Sequence, residues 1–119
     1  MFKSSFLARL EALAELKDGW LDGQGKALDA KALRVLAEAF DRYYDPRLPL
    51  PYLYPTAEGN VQGEWTLPNG WEVSLEVELS SWQCEFQAVN QDRLNEHTWQ
   101  LEPNGEGWVQ FNTAMLELV

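Results

Sequence analysis

With 119 residues, 45 % of them hydrophobic, the chain holds enough apolar material for one core and too little length for two. Nineteen acidic residues against nine basic ones leave a net charge of −10, which repels phosphate backbones and argues against nucleic-acid binding through a broad electrostatic footprint. No window supplies the apolar run of a membrane span, and the stretch from Met1 to Leu16, broken by Lys3, Arg9, Glu11 and Glu15, does not read as a signal peptide, so a cytoplasmic, soluble protein is expected.

Ser4 or Ser5 is placed to cap a first helix, along which Phe6, Leu10 and Leu13 recur at helical spacing beside Leu7 and Ala14. Gly19 is expected to end it. The loop that follows, Lys17-Asp18-Gly19-Trp20-Leu21-Asp22-Gly23-Gln24-Gly25, brings carboxylates and glycines together. Asp18, Trp20 and Asp22 are its candidate ligand residues, for a small molecule or a cation. It lacks the alternating ligand spacing of a calcium loop and the glycine spacing of a nucleotide loop. Glycines free for left-handed backbone and a Trp20 anchor set into the core give the structural reading of the same residues.

Asp29 then precedes a second helix in which Leu33, Leu36, Ala37, Phe40 and Tyr44 share one face, with Arg34, Glu38, Asp41 and Arg42 elsewhere. Three prolines between Asp45 and Pro51 stop the helix and carry the chain to a different kind of structure.

From Tyr52 the apolar period is two. Tyr52 to Pro55 reads as an edge strand because of its prolines, and Glu58, Gly59 and Asn60 turn the chain. Val61, Gly63, Trp65 and Leu67 alternate with polar residues, as do Trp71, Val73, Leu75, Val77 and Leu79. A three-residue loop, Pro68 to Gly70, with Gly70 left-handed, puts both apolar sets on one side; a two-residue loop would oppose them. A tight turn at Ser80 and Ser81 leads to Trp82, Cys84, Phe86 and Ala88, and a last strand near Leu94 to Leu101 carries His97, Trp99 and Leu101 as expected inner residues. Trp108, Phe111, Met115 and Leu118 have helical spacing, with Asn104 as candidate cap; a strand stays open there because Val109, Phe111, Thr113 and Met115 also alternate.

The expected architecture is one α+β domain over residues 1–119: two N-terminal helices, an antiparallel meander of about five strands with helices on one face, and a C-terminal helix. Residues 1–47 carry eight basic and eight acidic side chains, whereas residues 48–119 carry Arg93 against eleven acidic ones. Strand parity sends Glu64, Glu72, Glu76, Glu78 and Glu85 to the side opposite the tryptophans, and a turn at Ser80 and Ser81 sets Glu76 across from Glu85. Interleaved signs are the usual composition of a surface that serves solubility alone. An unbroken acidic face is therefore read as a docking surface for a basic protein partner, as in an inhibitor, immunity protein or antitoxin. The bland reading of the same charge is protection against edge pairing and aggregation.

No catalytic residues, metal ligands or cofactor are expected. Cys84, the only cysteine, excludes an internal disulfide and cysteine-pair zinc ligation, and Cys84 with His97 maps to the core side of neighbouring strands rather than to a nucleophile and base. The glutamates line an open face instead of a pocket that would raise a catalytic pKa. Self-association through Tyr52 to Pro55 is a further expectation.

The segments Gly19-Trp20-Leu21-Asp22-Gly23-Gln24-Gly25, Pro51 to Gly59 and Val61 to Trp65 resemble those of short, uncharacterised bacterial proteins sharing a Gly-Trp-x-Asp-Gly-x-Gly loop and a Pro-Thr-x-Glu-Gly turn. The resemblance implies a bacterial, cytoplasmic origin and transfers no catalytic or binding residues.

Overall fold

Phe6, Leu10 and Leu13 bury one stripe of α1 (Phe2–Ala14) in the computed structural model, which describes residues 2–102 and 105–119. Ser4 and Ser5 fall inside this helix rather than at its start. It stops at Ala14, not at Gly19: Glu15 and Leu16 close tighter bonds to the carbonyls of Ala12 and Leu13, and Gly19 takes its φ of 88° five residues on, within the loop.

Asp29 caps α2 (Ala30–Tyr43) as its position predicts, its carboxylate accepting the N–H groups of Lys31 at 2.9 Å and Ala32 at 3.1 Å. Leu33, Leu36, Ala37 and Phe40 are buried on one face. Tyr44, just past the helix, stacks on Phe40 with ring centroids 4.2 Å apart, and Phe40 in turn stacks on Phe6 of α1 at 3.6 Å. In the proline-rich connection, Asp45 accepts hydrogen bonds from the backbone and guanidinium of Arg47, which hold its carboxyl down at about 2.

The remaining chain forms an antiparallel sheet in sequential order: β1 (Tyr52–Pro55), β2 (Val61–Thr66), β3 (Glu72–Val77), β4 (Gln83–Asn90) and β5 (Arg93–Gln100). Gly70 has φ 95° and Leu67 donates to the carbonyl of Trp71 at 2.8 Å, so the loop between β2 and β3 is the three-residue one that parity requires. Between β3 and β4 the turn is wider than the expected two residues. Glu78 donates to Gln83 at 2.9 Å, Trp82 donates back to Glu78 at 2.8 Å, and Trp82 adopts φ 64°. A four-residue loop closes the same register that two residues would, and Glu76 faces Glu85.

Val61, Trp65, Leu67, Trp71, Val73, Leu75, Val77, Leu79, Cys84, Phe86 and Ala88 are all buried, in line with their parity. The closing segment is helical: α3 (Glu106–Leu116) buries Trp108, Phe111 and Met115 and is capped by Gly105 at φ 90°; Asn104, the expected cap, lies outside the described residues. Phe111 meets Trp65 at 5.6 Å and Phe86 at 6.2 Å between ring centroids. Trp65 also donates its indole N–H to the Tyr44 hydroxyl at 3.0 Å and the Pro49 carbonyl at 3.1 Å, tying β2 to the end of α2.

The last strand departs from expectation. Leu101, just past it, is buried, but Trp99 is half-buried and His97 is exposed, stacked on Trp99 at 5.0 Å. Their parity is right, since Phe86 pairs with His97 and Cys84 with Trp99. β5 is the last strand of the sheet, and its first six residues are exposed. Among the described residues no helix is long and apolar enough to cross a membrane.

Candidate functional site

Pairing across the sheet sets the even-numbered residues of β1, β2, β3 and β5 and the odd-numbered residues of β4 in rows. Tyr52, Glu64, Ser74, Gln87 and Glu96 form one, Tyr54, Gln62, Glu76, Glu85 and Thr98 the next, and Thr66, Glu72, Val89 and Leu94 a third. Glu64, Glu72, Glu76 and Glu85 therefore share a face, and Glu78, just past β3, has the parity of Glu76 and acts on its charge; Glu64, Glu72, Glu78 and Glu85 are exposed and Glu76 is half-buried. Lys and Arg occupy none of these positions. Arg93, the one basic residue of the sheet half, has the opposite parity and lies over the Trp71 ring at 4.9 Å.

Two further carboxylates belong to the surface. Glu96 follows from the β4 to β5 register, which is legible once the turn at Gln91 and Asp92 is recognised; Gln91 takes the positive φ, 57°, that tight hairpin turns require. Glu58, exposed in the turn between β1 and β2, is close enough to act on Glu76, a proximity that strand parity alone does not reveal.

The carboxylates are held by neutral donors. Gln62 donates to Glu64 at 2.8 Å, Thr66 to Glu72 at 3.0 Å, and Ser81 to Glu78 at 2.7 Å. Each bond orients an oxygen without cancelling its charge. Glu76 is surrounded: partial burial first, then the charges of Glu58, Glu85 and Glu78, push its pKa up, against a hydrogen bond with the Asn60 side chain that lowers it. Around it lies a shallow hollow lined by Gln62, Ser74, Glu76, Glu85, Gln87 and Glu96. Neighbouring carboxylates on one strand stand about 6.6 Å apart, and adjacent strands about 4.8 Å apart. Cationic side chains spaced along an extended or helical partner match such intervals.

The inter-helix loop is built differently. Leu21 and Gln24 exchange backbone bonds of 2.7 and 2.8 Å across Asp22 and Gly23, both at positive φ, which makes a two-residue turn of its own. Asp18 accepts the Ala27 N–H at 2.8 Å. Trp20 does not anchor in the core. Its indole donates to the Lys26 carbonyl at 2.8 Å and lies over Gly25, where an added Cβ would come within 2.9 Å of the ring. Asp18 and Trp20 thus each hold a backbone group of the loop's far side, and no cluster of three or more metal-ligating side chains occurs among the described residues.

Cys84 is fully buried, and burial pushes its thiol up to about 11, whereas His97 is exposed two pairs along the ladder. Comparison with family models, curated proteins and solved structures finds no match to the chain.

Proposed function

We propose that this protein is a non-enzymatic interaction domain that binds a basic protein partner through the face carrying Glu64, Glu72, Glu76, Glu78 and Glu85, extended by Glu58 and Glu96. The observation that carries the reading is the pairing of Glu76 directly across from Glu85 within a face holding no Lys or Arg. Like charges directly opposite on neighbouring strands destabilise a sheet, by about 0.2–1 kcal/mol on the scale of such pairs. A cationic partner turns that repulsion into attraction and steers encounter at low salt. Inhibitor, immunity and antitoxin proteins have this logic, since they mask a basic working surface.

We read the three helices as lying on the opposite face of the sheet, leaving the carboxylates open to a partner. The contacts of Phe111 with Trp65 and Phe86, and the burial of the odd-numbered set in β2 and β3, support that arrangement. The buried thiol of Cys84, and an Asp18 carboxylate engaged by the Ala27 N–H, favour a binding role over a catalytic one.

Capture from a native bacterial lysate at low and high salt, with the wild type and with the Glu76→Lys/Glu85→Lys double variant, tests the proposal. The wild type is expected to retain basic proteins that salt releases, and the variant, with an unchanged circular-dichroism spectrum, to lose them. An identical retained set for both proteins refutes it.

A further inference from the structure

The two margins of the sheet are not equivalent. On β1 the bond from Thr56 N–H to the Asn60 carbonyl, 2.9 Å, fixes which residues point toward β2. By alternation Pro51, Leu53 and Pro55 point their backbone outward. Two of them have no N–H, and the Leu53 carbonyl accepts the Arg9 guanidinium of α1 at 3.0 Å. This margin, the one that the sequence singles out for self-association, offers a single donor.

On β5 the bond from Leu101 N–H to the Trp82 carbonyl, 2.7 Å, sets the same alternation. Asn95, His97 and Trp99 point their backbone to β4, and Leu94, Glu96 and Thr98 point theirs outward. Among the described residues nothing bonds to those three outward N–H and carbonyl groups. The strand contains no Pro and no Lys, the usual guards of an open margin. α3 meets this strand at Gln100, whose carbonyl lies 1.9 Å from where a Cβ on Gly107 would stand.

We propose that an extended, basic segment of the partner adds to the sheet along Leu94 to Thr98. The inference rests on the acidic-face reading and adds the mode of engagement. Geometry fixes the side chains: residues of the incoming strand that bond to β5 lie opposite Leu94, Glu96 and Thr98, so their side chains emerge on the acidic face, beside Glu96 and with Glu85 one strand further in. Lys or Arg there meets opposite charge. The intervening residues emerge on the other side, against the exposed stack of His97 and Trp99, where apolar side chains fit. Charge complementarity selects this occupant over a second copy. Two copies, each with a net charge of −10, would join their acidic faces on the same side, because only residues with outward backbone pair with one another.

The test uses two synthetic octapeptides of equal composition, one alternating lysine with valine and one with the lysines and valines in separate blocks. Binding is measured by calorimetry to the wild type, to Thr98→Pro and to Glu76→Lys/Glu85→Lys. Proline at an outward N–H leaves the bonds to β4 intact. The alternating peptide is expected to bind the wild type at least tenfold tighter than the block peptide, and Thr98→Pro to abolish that preference. In the wild type it is also expected to slow hydrogen exchange at Leu94, Glu96 and Thr98 without slowing it at Asn95 or His97. Equal binding of the two peptides, lost only in the double reversal, overturns strand addition while leaving the acidic-face reading standing. No binding of either peptide overturns both. Sedimentation showing a wild-type dimer that Thr98→Pro dissolves overturns the basic occupant in favour of a second copy.

Discussion

Glu76 concentrates the electrostatic argument at the scale of one residue, because its surroundings and its cross-strand partner act in the same direction. Its pKa is raised in the folded state, so the folded protein binds that proton more tightly than the unfolded chain does. Stability from this group therefore grows as pH falls from neutral through the folded pKa toward the ordinary glutamate value, and is lost again as pH rises. Asp45 acts in the opposite sense: its depressed pKa gives a contribution that is present above the ordinary aspartate value and lost as pH falls through about 2. Glu85→Gln removes the charge opposite Glu76 and is expected to raise stability at pH 7 by about 0.5 kcal/mol. The gain should shrink at pH 4 as Glu76 takes up its proton. Urea denaturation at the two pH values measures both, and a loss of stability at pH 7 would contradict the repulsion. Parity made this pair legible in the sequence; Glu58 was not legible, because its effect depends on where a turn points.

At the scale of elements, α3 meets the end of β5 backbone to backbone at Gly107. A Cβ on Gly107 would stand 1.9 Å from the Gln100 carbonyl and 2.9 Å from its carbon, atoms that cannot retreat as a flexible side chain can. Gly107→Ala is expected to cost roughly 3 kcal/mol by forcing the helix off the strand, and thermal melting with near-ultraviolet circular dichroism should register it. A loss under 0.5 kcal/mol would mean that the two elements are not so closely docked. The same comparison shows what periodicity reads and what it misses. Asp29, the Gly70 loop and the alternation of β2 to β4 were legible because each is a local pattern with one backbone solution. The end of α1 was not, since Gly19 serves the following loop. Trp20 was misread because its partners, Lys26 and Gly25, are also local, so the ring closes its own loop instead of reaching the core. His97 has the core-side parity yet is exposed; how far the packing extends along a strand is a tertiary fact that strand pattern does not contain.

At the scale of the whole molecule, the charge of −10 is distributed so that the sheet half carries all of it. Screening should therefore relieve the fold and weaken its complexes at once. Raising sodium chloride from 0.02 to 0.5 M, which shortens the screening length from roughly 20 Å to about 4 Å, is expected to raise Tm by a few degrees and to reduce affinity for a basic ligand by tenfold or more. Differential scanning calorimetry and titration in the same buffers check the two arms, and a Tm that falls with salt would show that attraction, not repulsion, dominates the surface. The prolines flanking Leu53 and the guanidinium of Arg9 have a consequence for assembly. A ribbon sealed along one border can receive a neighbour only along the other. A second copy joined there would present only its own guarded border beyond, so strand stacking between copies halts after a single addition, and the molecule behaves as a terminator instead of a seed for fibres.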